Sequence, residues 1–273
     1  MNTLTVTILI DNSADTNLNS EHGLSLWLDF GEKRVLFDTG QTDMILKNAE
    51  LLGIDLSCAD AIVLSHGHYD HTGGLPSVLK IAPNAKIYLH PAATELKFSQ
   101  KPSGMKLVGM SISVKESLKN NKTIWTATPT LIFPGMSVTG QVPRTNDFED
   151  TGGAFFLDEN AQKPDGLLDD QTLFIESAKG LIVIFGCAHS GVVNILDYIS
   201  KITGKDKIYA VIGGMHLLNA NQERITKTVE ALKKYDVQKI IPLHCTGHEA
   251  VEKIKKVFGE KYVSAAAGTK IIF

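Results

Sequence analysis

Residues 65–74 read Ser-His-Gly-His-Tyr-Asp-His-Thr-Gly-Gly and follow directly on a short apolar stretch at 61–64. The apolar stretch predicts a buried strand, so the polar run begins where that strand ends. Four side chains within six residues are able to bind a metal: His66, His68, Asp70 and His71. Imidazole and carboxylate suit zinc, iron or manganese, and a tight turn at Gly67 lets ligands on one loop face a common point. The stretch therefore predicts a metal site at the end of a strand.

The composition is that of an ordinary globular protein. The chain has 273 residues with 43% hydrophobic and 21% charged content, enough to bury a sizeable core. The formal net charge is −3, and lysine and glutamate are scattered, so no basic face supports binding to nucleic acid or to an anionic membrane. We expect a small molecule as the partner and leave a homodimer open.

The beginning of the chain and its cysteines bear on the compartment. The first ten residues alternate polar and apolar types and lack the basic start and long apolar stretch of a signal peptide. Three cysteines argue against a disulfide framework and fit a reducing environment. We therefore expect a cytoplasmic protein.

The pattern of strands and helices predicts a single α/β domain over 1–273. Strands are predicted at 4–10, 24–30 and 33–38, and strand and helix then alternate through both halves of the chain. Two β-rich halves covered by helices predict a four-layer αββα sandwich. Breaks at Pro and Gly between about 98 and 150 predict an insertion or lid with β ribbons that forms the pocket wall.

Two later strands also end in histidine. Residues 182–191 form an apolar run that ends in Gly-Cys187-Ala-His189-Ser-Gly, and residues 240–247 form another that ends in His244-Cys245-Thr-Gly. Ligands from distant strands are needed to complete a metal site, which makes His189 and His244 candidates. The alternative for His189 is a histidine that caps the following helix.

The loop at 65–74 resembles the HxHxDH signature of the metallo-β-lactamase superfamily, in full and in the expected strand-to-loop context. The resemblance implies that His66 and His68 bind one metal and that Asp70 and His71 bind a second. It also implies that Asp38, in Asp-Thr-Gly after the third strand, orients a ligand histidine from behind. His244 matches the final histidine motif of the superfamily and is expected to be a ligand.

The chain departs from the commoner superfamily pattern at two places. Where many members carry Gly-His-Thr-x-Gly, residues 139–143 read Thr-Gly-Gln-Val-Pro, without histidine. Where many members place a metal-bridging aspartate, this chain has Gly186-Cys187. We expect His189 to replace the missing histidine. Cys187 is a candidate ligand at the bridging position, with a plain buried core cysteine as an equal alternative.

Motifs along nearly the whole chain resemble one branch of the superfamily. They include Glu-His-Gly-Leu-Ser, Gly-Gln-Val-Pro-Arg, Gly-Cys-Ala-His-Ser-Gly and Gly-Gly-Met-His-Leu. This branch is named after the synthase of 7,8-dihydropterin-6-methyl-4-(β-D-ribofuranosyl)aminobenzene 5'-phosphate. Members in organisms without methanopterin must act on another compound.

Further residues are candidates for contact with a substrate. His216 follows a strand beside the predicted cleft and is a substrate-binding or acid–base candidate, with a satisfied structural histidine as the alternative. Glu21 and His22 precede the second strand and are candidates to line the same opening. Arg144, in the Pro-Arg segment, is a candidate clamp for an anion, with an exposed arginine as the alternative.

These residues predict a metal-dependent hydrolase or related transferase. The substrate is expected to be a small phosphate or pyrophosphate compound attacked by a metal-activated water that Asp70 helps to position, with one or two divalent ions, zinc before iron or manganese. One alternative is a hydrolase of a lactone, thioester or β-lactam bond. The other is a metal-binding redox module in which Cys187 and Cys245 join the site.

Overall fold

A computed structural model describes residues 3–273 of the chain. The strands are β1 (Leu4–Ile10), β2 (Ser25–Phe30), β3 (Lys33–Phe37), β4 (Ala61–Val63), β5 (Lys86–Leu89), β6 (Phe98–Lys101), β7 (Gly104–Leu107), β8 (Thr123–Trp125), β9 (Thr130–Phe133), β10 (Met136–Val138), β11 (Phe155–Phe156), β12 (Leu173–Ser177), β13 (Gly180–Phe185), β14 (Ile208–Gly214), β15 (Lys239–Leu243) and β16 (Lys270–Ile272). The α-helices are α1 (Met44–Leu51), α2 (Tyr69–Thr72), α3 (Leu75–Ile81), α4 (Ile112–Lys119), α5 (Val192–Thr203), α6 (Gln222–Lys234) and α7 (His248–Phe258).

Two large sheets organise the described residues. One has seven strands in the order β16-β1-β2-β3-β4-β5-β8, and the other has six in the order β15-β14-β13-β12-β10-β9. In each sheet an antiparallel part leads into a parallel part, β3-β4-β5-β8 in the first and β13-β14-β15 in the second. The parallel strands of each sheet end at one edge, and the loops that carry the histidines begin there.

The two sheets pack face to face, and helices cover their outer faces. Val6, Phe37 and Ile184 belong to a buried cluster shared by both sheets. A second cluster joins the outer face of the six-stranded sheet to α5, α6 and α7, and a third joins the outer face of the other sheet to α1, α3 and α4. The predicted αββα sandwich is confirmed.

Strand β13 shows why its sequence suits a central position. Ile182 and Ile184 point into the core between the sheets, whereas Leu181, Val183 and Phe185 point towards the helices. Successive side chains of a strand alternate between faces, so a continuous apolar run serves a strand buried on both sides.

The stretch from 98 to 150, predicted as an insertion or lid, is divided among three sheets. Strands β6 and β7 pair with β11 in a separate three-stranded sheet, β8 is an edge strand of the seven-stranded sheet, and β9 and β10 belong to the six-stranded sheet. The breaks at Gly104 and Pro134-Gly135 are turns between paired strands of these sheets. Only the hairpin of β6 and β7, with β11, stands apart from the sandwich.

No helix within residues 3–273 combines the length and apolar character needed to cross a membrane.

The core between the sheets predicts a large effect of truncating Ile184. Its side chain is fully buried, so Ile184→Ala should lower the free energy of unfolding by about 2–5 kcal/mol through lost burial and a residual cavity. Chemical denaturation measures the change. Leu131→Ala is the control, since Leu131 is 64% exposed and should cost under about 0.5 kcal/mol. Equal effects of the two substitutions would contradict the assigned core.

Candidate metal centre

The carboxylate of Asp38 is the buried anchor of the site. Asp38 follows β3 in the left-handed region, with φ at 57°, and is fully buried. Its Oδ1 accepts a hydrogen bond from Ser65 N at 2.7 Å, and its Oδ2 accepts from Ser65 Oγ and from His71 Nδ1, both at 2.7 Å. Since Ser65 Oγ donates to Asp38, its oxygen accepts from His66 Nδ1 at 2.9 Å. Asp38 thus holds the ends of β3 and β4 together and orients two imidazoles.

The turn between His66 and His68 needs glycine and has a charged support. A Cβ on Gly67 would lie 2.1 Å from the carbonyl oxygen of Ala93, so no larger residue fits. Gly67 N donates to Asp169 Oδ2 at 2.7 Å. Lys97 Nζ pairs with Asp169 at 2.8 Å and with Asp165 at 2.9 Å, in a fully buried position. Burial alone would lower the pKa of Lys97, but the two carboxylates hold it above its ordinary value.

His66 and His68 are arranged as neutral ligands. His66 Nε2 lies 2.9 Å from His68 Nδ1. Burial, followed by the neighbouring imidazole of His71, holds the pKa of His66 well below its ordinary value, and burial lowers the pKa of His68 to about 3. A neutral imidazole keeps a lone pair for a metal, whereas a protonated one does not.

The end of β13 brings His189 to this pair. His189 Nδ1 donates to the carbonyl of Thr151 at 2.8 Å, and its Nε2 is buried without a partner. The donor atoms of His66, His68 and His189 all lie within 4.8 Å of one another. The structure therefore joins His189 to the first two histidines, as expected of a replacement for the missing motif.

The two buried cysteines lie beside these histidines. Cys187 Sγ is 3.1 Å from His71 Nε2, and it forms a group of donor atoms within 4.8 Å with His66 and His71. Cys245 Sγ lies 3.8 Å from the carbonyl oxygen of Cys187. Both thiols are free, and neither forms a disulfide. Cys187 thus stands between the two sets of ligands that the superfamily resemblance implies.

Asp70 and His244 form the other side of the site. His244 follows β15 with φ at 50°, and its Nδ1 donates to Asn12 Oδ1 at 2.8 Å. Its Nε2 lies 3.5 Å from Asp70 Oδ2, and His22 Nε2 lies 3.0 Å from the same oxygen. Burial alone would raise the pKa of Asp70, but the hydrogen bond from His22 and the neighbouring imidazoles of His244 and His71 outweigh it and hold the pKa well below its ordinary value. Asp70 is ionised near neutral pH.

His216 follows β14 and contacts the same cluster. It adopts a left-handed φ of 44°, and its ring centroid is 4.2 Å from that of His189. Its Nε2 donates to the carbonyl of Gly152 at 3.2 Å, whereas its Nδ1 is buried and has no partner. The histidine has a fixed tautomer and one free nitrogen.

The donor pattern fits a divalent metal. Four imidazoles, those of His66, His71, His189 and His244, each donate one ring N–H to an oxygen behind them and direct the other nitrogen inward. Metal-binding histidines show this arrangement because the oxygen fixes the tautomer and the ring orientation. The orphaned buried Nε2 of His189 has no other explanation within the described residues. The residues at the strand ends can therefore hold a divalent metal.

A cavity of 480 Å³ opens above these ligands. The hairpin of β6 and β7 contributes Lys101 and Lys106, and β11 contributes Phe155, whose ring centroid is 5.1 Å from that of His68. Lys106 Nζ lies 4.9 Å from the ring centroid of Tyr69. Asp70 is the only carboxylate among the residues that line the cavity.

Two predicted substrate residues lie outside this cavity. Arg144 Nη2 donates to the carbonyls of His189 at 2.7 Å and Gly166 at 3.2 Å, so its guanidinium supports the His189 loop from the far side. Glu21 accepts hydrogen bonds from Gln41 N at 2.9 Å and Thr42 N at 3.1 Å, which orders the loop after β3. Neither side chain lines the cavity, so the geometry supports neither an anion clamp at Arg144 nor a substrate contact at Glu21.

Sequence reasoning missed the supports behind the ligands. These supports are far from the histidine motifs along the chain: Lys97, Asp169, Thr151 and Gly152. Thr151 and Gly152 act through their backbone carbonyls, which every residue type has, so residue type carries no signal for this role. The paired glycines in Asp-Thr-Gly-Gly at 150–153 are the one signal that could have pointed to Gly152, since adjacent glycines mark an unusual backbone.

Asp38→Asn is expected to weaken metal binding about 10- to 100-fold. The amide nitrogen of asparagine donates, so His71 Nδ1 can no longer donate to it, and the proton moves to the nitrogen that faces the site. Competition with a chromogenic chelator measures the dissociation constant. Asp29→Asn is the control, because Asp29 forms a surface ion pair with Arg34 at 2.7 Å. Unchanged zinc affinity in Asp38→Asn would contradict the role of Asp38.

Comparisons with known proteins agree with this geometry. The family model of the metallo-beta-lactamase superfamily matches residues 20–198. The chain is 36% identical over 266 residues to a 7,8-dihydropterin-6-methyl-4-(beta-D-ribofuranosyl)-aminobenzene-5'-phosphate synthase of Methanocaldococcus jannaschii, with 93% of this chain and 90% of that protein covered. The predicted resemblance to that branch is confirmed.

Solved structures show the same fold. Tm1679, described as a metal-dependent hydrolase of the beta-lactamase superfamily, is 34% identical with a TM-score of 0.85, and 98% of each chain is covered. YhfI of Bacillus subtilis, a metallo-beta-lactamase fold protein, is 15% identical with a TM-score of 0.60 over 100% of each chain, a likeness of fold alone. From its sequence, its fold and its histidine motif, the chain belongs to the metallo-beta-lactamase superfamily.

Proposed function

We propose that the protein is a metal-dependent hydrolase, or a related transferase, that acts on a small substrate with a phosphate or pyrophosphate group. The observation that carries the proposal is the cavity, whose lining combines the imidazoles of the site with two lysines. A divalent metal and lysine ammonium groups both attract an anion, and Asp70 is the one carboxylate in the lining. An anionic substrate fits this cavity better than a neutral one.

The donor set favours zinc. Imidazole nitrogens dominate the site, and Cys187 adds a sulfur, whereas magnesium and calcium prefer oxygen ligands. We propose that His66, His68 and His189 would hold one ion and that Asp70, His71 and His244 would hold a second, with Cys187 within reach of residues of both sets. When bound, the metal polarises a phosphoryl oxygen and lowers the pKa of water.

The residues of the chain orient the reactants and transfer protons. Asp70, ionised and held by His22, has oxygen atoms that accept hydrogen bonds, which lets it orient an attacking water. His216 lines the cavity, and its Nε2–H is committed to Gly152. The remaining nitrogen, Nδ1, is buried without a partner, so a role for His216 as acid or base at the leaving-group oxygen requires the substrate to displace the side chains that cover it.

The β6–β7 hairpin supplies the anion contacts that sequence reasoning placed at Arg144. Lys101 and Lys106 are exposed, and neither forms an ion pair within the described residues. Tyr69 holds the Lys106 ammonium over its ring, with its hydroxyl 3.4 Å from Nζ. The product named for the Methanocaldococcus relative carries a 5'-phosphate, which is consistent with a cationic wall of this kind.

The two buried thiols are consistent with one alternative function, a metal-binding redox module. Donor atoms of Cys187, His244 and Cys245 lie within 4.8 Å of one another, as a metal-binding redox module would require. A redox centre would change its absorption spectrum on reduction, whereas a zinc hydrolase would not. Hydrolysis of a lactone, thioester or β-lactam bond is the second alternative, and the lysines give it no support because those bonds are neutral.

Removal of the metal is expected to abolish turnover. The purified protein should contain one or two divalent ions per chain, and it should release phosphate from at least one of a phosphodiester, a phosphomonoester and a pyrophosphate. Chelation should stop this release, and added zinc should restore it. His66→Ala combined with His68→Ala should be inactive and folded. A metal-bound protein that hydrolyses thioesters or lactones but none of the three phosphates would refute the proposal.

Lys106→Gln is expected to raise KM about tenfold with little change in kcat. The reason is the loss of a charge-assisted contact worth roughly 1.5 kcal/mol to a distal part of the substrate. Steady-state kinetics on the phosphate substrate separates the two constants. Lys119→Gln is the matched control, since Lys119 is exposed at the end of α4 and lies outside the cavity lining. Equal KM values for both variants would rule out anion binding by Lys106.

A further inference from the structure

One short segment holds two histidines of the site from behind. The carbonyl of Thr151 accepts the Nδ1–H of His189 at 2.8 Å, and the carbonyl of the next residue, Gly152, accepts the Nε2–H of His216 at 3.2 Å. The two histidines follow different strands, β13 and β14, and are not otherwise tied together by a hydrogen bond. We call residues Glu149–Gly152 the strap.

Glu149 fixes one end of the strap to helix α5. Its side chain is 4% exposed, and its two carboxylate oxygens accept from Val193 N and Asn194 N, each at 2.9 Å. These are amides of the first turn of the helix, which lack partners within the helix and favour a negative charge. Helix α5 begins directly after the loop that carries His189. The strap and His189 are thus attached to the same helix end.

Asp150 fixes the strap to helix α6. Its Oδ1 pairs with Arg224 Nη1 at 2.5 Å and also accepts from Gly152 N at 2.7 Å. The Arg224 side chain is only 3% exposed, whereas Asp150 is 79% exposed. A buried guanidinium needs an anionic partner, and Arg224 forms no other ion pair within the described residues. One carboxylate oxygen therefore ties α6 to the residue whose carbonyl holds His216.

Gly152 lies directly against the His216 ring. Its φ is 81°, and a Cβ at this position would lie 1.8 Å from His216 Cδ2. Glycine is required both by the backbone conformation and by the contact. The strap runs on through Gly153 and Ala154 into β11, which places Phe155 in the cavity wall.

We propose that the strap is a positioning element of the metal centre. Its ion pair with Arg224 holds the carbonyls of Thr151 and Gly152 in place. These carbonyls fix the tautomers of His189 and His216. The strap thereby influences the zinc affinity of the position formed by His66, His68 and His189. The inference rests on the metal centre of the proposed function and is independent of which bond is cleaved. None of the strap residues is proposed to contact the metal.

Substitution of Asp150 tests the strap without touching a ligand. Asp150→Asn keeps an oxygen for Gly152 N and removes the charge that Arg224 needs. We expect the zinc dissociation constant to rise by up to about tenfold, less than when the hydrogen-bond partner of a ligand is itself removed, because the Thr151 carbonyl remains but loses its support. Asp147→Asn is the matched control, because Asp147 is exposed in the same loop and forms no ion pair or side-chain hydrogen bond within residues 3–273.

Arg224 gives an independent variant with a conservative rescue. Arg224→Met should weaken zinc binding as Asp150→Asn does, and Arg224→Lys, which keeps a positive charge, should recover much of the affinity. Gly152→Ala should move the His216 ring, whereas Gly166→Ala, whose Cβ would meet only Leu168 at 3.6 Å, should leave the site unchanged.

The experiment is a zinc titration of the full-length metal-free protein against a chromogenic chelator, with the absorption spectrum of the cobalt-substituted protein as a second readout. Circular dichroism of each metal-free variant shows that it is folded. Weaker zinc binding and an altered cobalt spectrum in Asp150→Asn and Arg224→Met, with Asp147→Asn and Arg224→Lys close to wild type, support the proposal.

Zinc affinity and cobalt spectrum equal to wild type in folded Asp150→Asn and Arg224→Met would overturn the proposal. Should Arg224→Met fail to fold, Asp150→Asn decides alone, since its side chain is exposed. A wild-type protein that binds zinc but cleaves no phosphate contradicts the proposed substrate and leaves the strap test valid. The two failures are therefore distinguishable.

Discussion

The buried carboxylate of Asp38 is the interaction on which the site depends. It has no exposed surface, and its oxygens accept from Ser65 N, Ser65 Oγ and His71 Nδ1. An ionised group in such a place is stable only with several strong donors, and each donor is thereby held in one orientation. This one charge holds the ends of two parallel strands together and fixes the start of the histidine loop. It also determines the tautomers of His66 and His71. The left-handed backbone of Asp38 directs the carboxylate across to the neighbouring strand.

The remaining ligands are oriented by the same physical rule with other acceptors. His189 relies on the carbonyl of Thr151, near the middle of the chain, and His244 on the side chain of Asn12, near its start. The αββα sandwich makes this convergence possible because loops after strands of both sheets meet, as at Cys187 Sγ and His71 Nε2, which lie 3.1 Å apart. Burial keeps the pKa values of His66, His68 and His189 below the ordinary value, so the imidazoles are neutral and able to bind a metal at neutral pH. Backbone position, hydrogen bonding and burial together make the strand ends a metal site.

The sequence was most informative where chemistry is local. The loop at 65–74 carries its ligands within one turn, and the apolar runs before His189 and His244 identified strand ends, so the layers and the ligand candidates were predictable. The stretch at 98–150 was harder, because Pro and Gly signal turns without showing which sheet the flanking strands join. The residue type of Arg144 predicts a clamp for an anion, yet its guanidinium donates to the carbonyl of His189. Lys97 resembles any surface lysine in the sequence and is fully buried in the fold.

The central claim is that imidazoles from three strand ends, with Cys187 among them, meet at one metal centre. Zinc-edge X-ray absorption spectroscopy of the zinc-loaded protein tests it most directly, because it reports the atoms bound to the metal. The account predicts a shell of nitrogen and oxygen at about 2.0–2.1 Å with imidazole scattering, together with sulfur at about 2.3 Å that disappears in Cys187→Ser. A shell of oxygen alone, without imidazole scattering, would contradict the metal centre described for this protein.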